Sequence, residues 1–279
     1  MFSNKEIARY YDLSEVHYRL FWNLEESRSL HYGYWDSSTK NFHEALLNIN
    51  KILSKKASIS ENDHVLDAGC GVGGSSLWLA SNLGCRVTGI TLSEKQMQKA
   101  TAQAQNEGLA CLVHFYQKDF IDTKFSNNSF DVVWAIESVC HAEDKSAFLK
   151  EAYRILRPGG SLVMADFFKK EDLQGESAKI IEDWAHGWAI SDFATQEKFK
   201  NQLSDTGFTK ISMEDATENI RPSAKRLYHS YFIGIIGAKL YALFNKPTEL
   251  SKKNVDTAYL QYKGLKKDLW RYYLVHAEK

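Results

Sequence analysis

Residues 65–76, Val-Leu-Asp-Ala-Gly-Cys-Gly-Val-Gly-Gly-Ser-Ser, join an apolar run to an acid and a set of closely spaced glycines. Such a segment predicts a buried strand that ends near Asp67 and turns through Gly69, Gly71 and Gly73 into a helix. Glycines at this spacing let backbone approach a bound nucleotide where a Cβ would collide, and the helix that follows offers N–H groups at its start. Asp67 narrows the ligand: a carboxylate here repels a pyrophosphate but suits a ligand carrying an ammonium and a sulfonium. Gly69, Gly71 and Gly74 also satisfy the dinucleotide pattern Gly-x-Gly-x-x-Gly, which is weak evidence by itself. A dinucleotide fold wants an acid for the ribose at the end of its second strand. Here the strand Arg86–Ile90 runs out into Thr91, Leu92 and Ser93.

A second group of reactive side chains lies in Trp-Ala-Ile-Glu-Ser-Val-Cys-His-Ala, residues 134–142. It follows a fourth predicted strand, and Asp166 follows a fifth, so both emerge at the carboxyl edge of a parallel sheet, where ligands of such folds bind. An imidazole can take a proton near neutrality, which makes His141 the candidate base, with Asp166 to orient it or share the work. Glu137 and the N-terminal aromatics, among them Tyr10, Tyr11, Tyr18, Phe21, Trp22 and Trp35, are suited to a developing cation.

The elements that must position these groups alternate. The pattern predicts strands at 64–68, 85–90, 112–117, 129–136 and 160–167 and helices at 74–83, 93–107 and 144–156, with Arg157-Pro158-Gly159-Gly160 as a stop and tight turn. This is an α/β doubly wound sheet. Helices are expected at 4–13 and 41–53, an extended stretch at 208–215 and a last strand at 269–277.

The acid followed by Gly-x-Gly-x-Gly resembles the first motif of the class I S-adenosylmethionine-dependent methyltransferases, and the later segments keep step with it. The resemblance implies a Rossmann-like sheet, mostly parallel with a C-terminal antiparallel hairpin, plus a helical cap. It divides the chain into an N-terminal helical and aromatic segment (1–60), a cofactor-binding core (61–218 and 269–279) and a cap insertion (219–268). It implies that Asp67, Gly69, Gly71 and Gly73 surround the methionyl moiety and that Asp119, beside Phe120, takes the adenine amino group. Thr91-Leu92-Ser93 followed by Gln96 resembles the variant found in cyclopropane fatty-acid synthases and tocopherol methyltransferases, in which a glutamine contacts the ribose. Tyr34, in His31-Tyr32-Gly33-Tyr34-Trp35, matches a segment that closes over the cofactor, and Ile136 joins the cofactor-binding set. Glu137, Cys140, His141 and Ala142 are similar to the corresponding string of sterol side-chain methyltransferases, whereas His141 with Asp166 is similar to sugar and natural-product O-methyltransferases. The implied reaction is methyl transfer to carbon or oxygen of a small lipophilic or natural-product acceptor. That reaction gives Cys140 no role as a nucleophile.

Lysine plus arginine equals aspartate plus glutamate at 35 each, so no global field draws the protein to nucleic acid or an anionic membrane. The cysteines Cys70, Cys85, Cys111 and Cys140 are scattered, which argues against zinc or a disulfide framework and fits a reducing cytoplasm. The segment 228–244 is too short and too polar for a membrane span and reads as a lid over a lipophilic pocket or as a buried helix. Residues 181–188 and 228–232 are the other expected acceptor contacts. The oligomeric state is left open, as are two further roles: cyclisation or isomerisation with the cofactor bound but not consumed, and non-catalytic adenosyl-ligand binding.

Overall fold

The acid–glycine segment lies at the centre of the fold. In the computed structural model, β1 (His64–Ala68) sits between β2 (Arg86–Thr91) and β4 (Phe130–Ile136), all parallel. The structure describes residues 2–21, 28–242 and 249–279, with side chains at 2–12, 28–231 and 256–279. With β3 (Val113–Gln117), β5 (Leu156–Lys169), β6 (Thr209–Asp215) and β7 (Trp270–Glu278), the strands form a seven-stranded sheet in the order β3-β2-β1-β4-β5-β7-β6. The first five are parallel and β7 runs antiparallel to both β5 and β6, so the expected mostly parallel sheet with an antiparallel C-terminal hairpin is borne out.

The strands are apolar because both faces are covered. In β1 and β4, Val65, Leu66, Val132, Val133 and Trp134 are each at most 3% exposed, as the central strands of a two-sided parallel sheet require. Helices α1 (Asn4–Phe21), α2 (Phe42–Lys56), α3 (Gly74–Leu83), α4 (Glu94–Asn106), α5 (Lys145–Ile155), α6 (Gly175–Gly187) and α7 (Gln196–Thr206) precede β6, and α8 (Thr217–Ala242) and α9 (Glu249–Lys266) fill the connection from β6 to β7. Their starts follow local chemistry. The side chains of Asn41, Ser93 and Asp144 each accept a backbone N–H of the first turn, satisfying a donor the helix leaves open.

Two expectations change. The Arg157-Pro158-Gly159-Gly160 stop is absorbed into β5, whose ladder with β4 shifts register between Phe130 and Val132; the two glycines take up the irregularity. Segment 181–188 does not line the cleft at the carboxyl edge of the sheet: Ile181, Trp184 and Ala185 pack in the core, each at most 3% exposed, while Glu182, Asp183 and His186 face outward. Phe167 is the hub of that packing, with the rings of Tyr32, Trp184, Trp188, Phe193, Trp270 and Tyr272 around it in edge-on contacts at 5.2–6.1 Å. Tyr228 stacks on Tyr262 within the α8–α9 pair, while Trp22 and the lid expected in 232–244 lie outside the described residues or side chains. No helix among the described residues is long and apolar enough to cross a membrane.

Removing the hub should leave an aromatic-lined void that six bulky neighbours cannot collapse to fill. Phe167→Ala is expected to destabilise the protein by about 3–5 kcal/mol, read as a lowered urea midpoint at unchanged m-value.

Candidate active site

Beyond Ala68 the chain makes the glycine turn with φ of +94° at Gly69, +53° at Gly71 and +89° at Gly73, a left-handed backbone that residues with a Cβ rarely adopt. Space also requires glycine. A Cβ on Gly69 would lie 2.4 Å from the Ser138 Cβ, and one on Gly73 would lie 2.7 Å from the Phe115 ring. Gly69 and Cys70 both donate their N–H to Ile90 O, at 3.0 and 2.9 Å, which fastens the turn to β2.

The turn borders a cleft at the carboxyl edge, lined in part by Asp67, Gly69, Gly71, Thr91, Leu92, Gln96, Phe120, Ile136, Glu137 and His141. Its space, open solvent at the mouth included, is about 870 Å³. Asp67 is 3% exposed and accepts from the Ser76 hydroxyl at 2.6 Å. Burial pushes its carboxyl up to about 6, with no cationic side chain among the described residues to offset it. A carboxylate held this way suits a cationic ligand. Farther along, the Thr91 hydroxyl bonds to the Gln96 amide oxygen at 2.8 Å, and the ring of Phe120 meets Phe148 edge-on. The acid, glycine backbone, amide and apolar walls fit S-adenosylmethionine.

Not every expected residue reaches this cleft. Gly73 caps α3 behind it. Asp119 does not line it; its carboxylate accepts from the Ile121 N–H at 3.0 Å and from the Asn4 amide of α1 at 2.5 Å. Tyr34 lies elsewhere, its N–H donating to Ala45 O at 2.8 Å and its carbonyl accepting from Asn48 at 3.1 Å. The part of that segment that reaches the cleft is Leu30 and His31. Gly33 and Trp35 dock instead on Ser223 of α8, because a close approach to α2, where a Cβ on Gly33 would lie 2.7 Å from Ala45 Cβ, turns the chain away.

The reacting groups follow β4. Glu137 is a non-glycine residue at φ +48°, and this turn aims its carboxyl inward, where Oε1 accepts from Tyr32 N–H at 2.7 Å and from the Tyr272 hydroxyl at 2.9 Å. Burial pushes it up to about 8. His141 closes the 3₁₀ turn Val139–His141, and burial pulls its imidazole down to about 4. Nδ1 lies 3.4 Å from Ala189 O and Nε2 lies 2.7 Å from the Tyr11 hydroxyl. Asp166 is not in the cleft: it is 2% exposed, its two oxygens accepting from the backbone N–H of Cys140 and of Phe167, each at 2.8 Å. Tyr11 is the partner that sequence reasoning missed; it stood there as one of several N-terminal aromatics, with nothing in its spacing to pair it with a residue 130 positions away.

Known proteins match this chain in sequence and in fold. The family described as a methyltransferase domain matches residues 66–164. The 27-O-demethylrifamycin SV methyltransferase of Amycolatopsis mediterranei is 32% identical over 195 residues, 70% of this chain and 72% of that protein. The solved [4+2]-cyclase SpnF superposes with a TM-score of 0.79 at 21% identity, over 99% of this chain and 97% of that one. A geranyl diphosphate methyltransferase in complex with S-adenosylmethionine does so with a TM-score of 0.70 at 19% identity, over 89% and 98%. The chain belongs to the S-adenosylmethionine-dependent methyltransferases. It is an enzyme that uses this cofactor.

Since Gly69 has neither the dihedral nor the space for a side chain, Gly69→Ala should displace Ser138 and the turn that carries His141. Calorimetric affinity for S-adenosylhomocysteine is expected to fall at least tenfold, about 1.4 kcal/mol or more, at a far-UV circular dichroism spectrum like that of the parent.

Proposed function

We propose that this enzyme methylates the oxygen of a small, lipophilic, natural-product-like hydroxyl compound, with His141 as the proton acceptor. The observation that carries the reading is the 2.7 Å contact between His141 Nε2 and the Tyr11 hydroxyl. With Nδ1 assigned as donor to Ala189 O, Nε2 is the lone-pair nitrogen and the hydroxyl donates to it. An acceptor hydroxyl placed beside Tyr11 or in its stead would meet the same nitrogen. Bound S-adenosylmethionine supplies an electrophilic methyl group for in-line displacement, so the protein's own work is alignment, exclusion of water and removal of one proton.

The proton transfer is matched to the charge in the cleft. Methyl transfer removes one positive charge from the site, and His141 restores one by taking the acceptor's proton, so the buried region keeps its net charge. Ile7, Ala8, Leu30, Val72 and Ile136 along the walls support an apolar acceptor. In the same reading, residues 61–218 and 269–279 are the catalytic core, with 1–60 and 219–268 as its covers. Asp67 faces the methionyl ammonium, Gln96 the ribose, and Asp119 exchanges Asn4 for the adenine amino group.

Carbon methylation has one feature in its favour, the buried Glu137 at the cleft wall. It could shelter a carbocation only as a carboxylate, however, and burial keeps it protonated up to about pH 8. The cyclase reading is separated by whether S-adenosylhomocysteine forms.

Methyl-labelled cofactor offered with lipophilic, phenolic and sugar-bearing acceptors should place label on oxygen, located by NMR; label on carbon overturns the assignment. His141→Gln is expected to lower kcat by about 10²–10⁴. Because the imidazole is depressed to about 4, it stays neutral as pH falls through the usual histidine range, so kcat/KM for the acceptor, at saturating cofactor, should show no histidine decline near 6.5.

A further inference from the structure

Lys145 stands in a position that ordinary helix electrostatics does not favour. It is the first residue of α5, where the helix dipole presents its positive end and a cation is the wrong sign. Its ammonium is nevertheless folded inward onto three backbone carbonyls, Cys140 O at 3.0 Å, Ala142 O at 2.6 Å and Asp192 O at 2.6 Å. A lysine ammonium has three donors, and all three are engaged. Two of the carbonyls belong to the turn that holds His141 and the third to the loop that follows α6. One cation therefore ties the base-bearing turn to the segment whose Ala189 carbonyl faces His141 Nδ1.

The surroundings complete the bracket. Asp166 holds the same turn through the Cys140 N–H at 2.8 Å. Ala189 is a non-glycine residue at φ +56°, a conformation that persists only where neighbours over-determine it, and it directs its carbonyl towards the imidazole. Lys169 fixes the far end of the loop through the Asp192 carboxylate at 2.7 Å. The titratable and charged groups facing this region are Tyr11 from α1, Glu137 after β4, the Cys140 thiol on the turn itself, Asp166 on β5, the Lys169–Asp192 pair and Lys145 itself.

We propose that Lys145 is a positioning residue for His141: by clamping the 140–142 turn to the 189–192 loop it presents the Ala189 carbonyl to Nδ1, fixes the Nδ1–H tautomer and leaves Nε2 as the nitrogen that faces the acceptor. No atom of Lys145 touches substrate in this scheme. The assignment rests on the reading of His141 as the base, but the arrangement it describes can be tested without turnover.

Long-range ¹H–¹⁵N NMR of histidine-labelled full-length protein reads the tautomer directly. The wild type is expected to show His141 as the Nδ1–H form from pH 5 to 8; an Nε2–H form overturns the proposal before any variant is made. In Lys145→Met the ring should become a mixture of tautomers, because the clamp that presents the Ala189 carbonyl to Nδ1 is lost. With the lone pair no longer held towards the acceptor, kcat should fall about tenfold or more with KM for the acceptor within about threefold, as expected for a defect confined to the chemical step. A Lys145→Met protein that keeps the Nδ1–H tautomer refutes the role whatever its melting temperature. Should that variant fail to fold, Lys145→Gln, which can reach one of the three carbonyls, is expected to show the same changes in part, and an unchanged tautomer there refutes it equally. Retained activity in His141→Gln would instead remove the O-methylation reading while leaving the tautomer result standing.

Discussion

The rest of the site depends on a contact between two turns. The chain leaving β1 at Gly69 and the chain leaving β4 at Ser138 approach until no side chain fits between them, and the Ser138 hydroxyl donates to Ala68 O at 2.6 Å to lock the approach. One turn carries the cofactor-binding backbone and the other carries Glu137 and His141. On the proposed reading, their contact fixes the spacing between the cofactor turn and His141, so that spacing follows from strand exits in the centre of the sheet rather than from long loops. Rigid placement is what in-line displacement demands.

Burial then governs the charges. Taking a group out of water disfavours its ionised form, and the same cause pushes Asp67 up to about 6, Glu137 up to about 8 and His141 down to about 4. The three consequences differ by residue type. Asp67 is left seeking a cation, Glu137 stays a neutral acid held by Tyr32 and Tyr272, and His141 stays a neutral base. Near neutral pH the reacting end carries a lone pair and a proton donor but little net charge, a setting in which a cationic sulfur compound and an uncharged hydroxyl can meet without competing ion pairs.

Helix α1 completes the site from outside. Asn4 bonds Asp119, Asp12 accepts from the Ser93 hydroxyl at 2.6 Å, and Tyr11 meets His141. Positions 4, 8, 11 and 12 share one face at helical spacing. A single helical face thus runs from the acid expected to take adenine, past the Ser93 cap that precedes Gln96, to the base. On the proposed reading, cofactor and acceptor meet the same element.

Much of this was legible in the chain itself. The alternation of apolar runs with polar helices, the Gly69–Gly74 turn and the acid before it follow from local rules of dihedral space, spacing and burial. These gave the sheet and the cofactor class. Asp67, Thr91, Gln96 and His141 reached the cleft as expected because each sits within a few residues of a strand end, where direction is inherited from the sheet. Tertiary structure alone decided the rest. Tyr34 turned away because Gly33 packs against α2, Asp166 went to backbone N–H groups beneath the turn, Ile181, Trp184 and Ala185 became core, Tyr11 came to His141 from α1, and Lys145 reached the Asp192 carbonyl. Local sequence encodes what a residue's own neighbours dictate. Pairings between distant elements depend on how whole faces pack, and no spacing within the sequence records them.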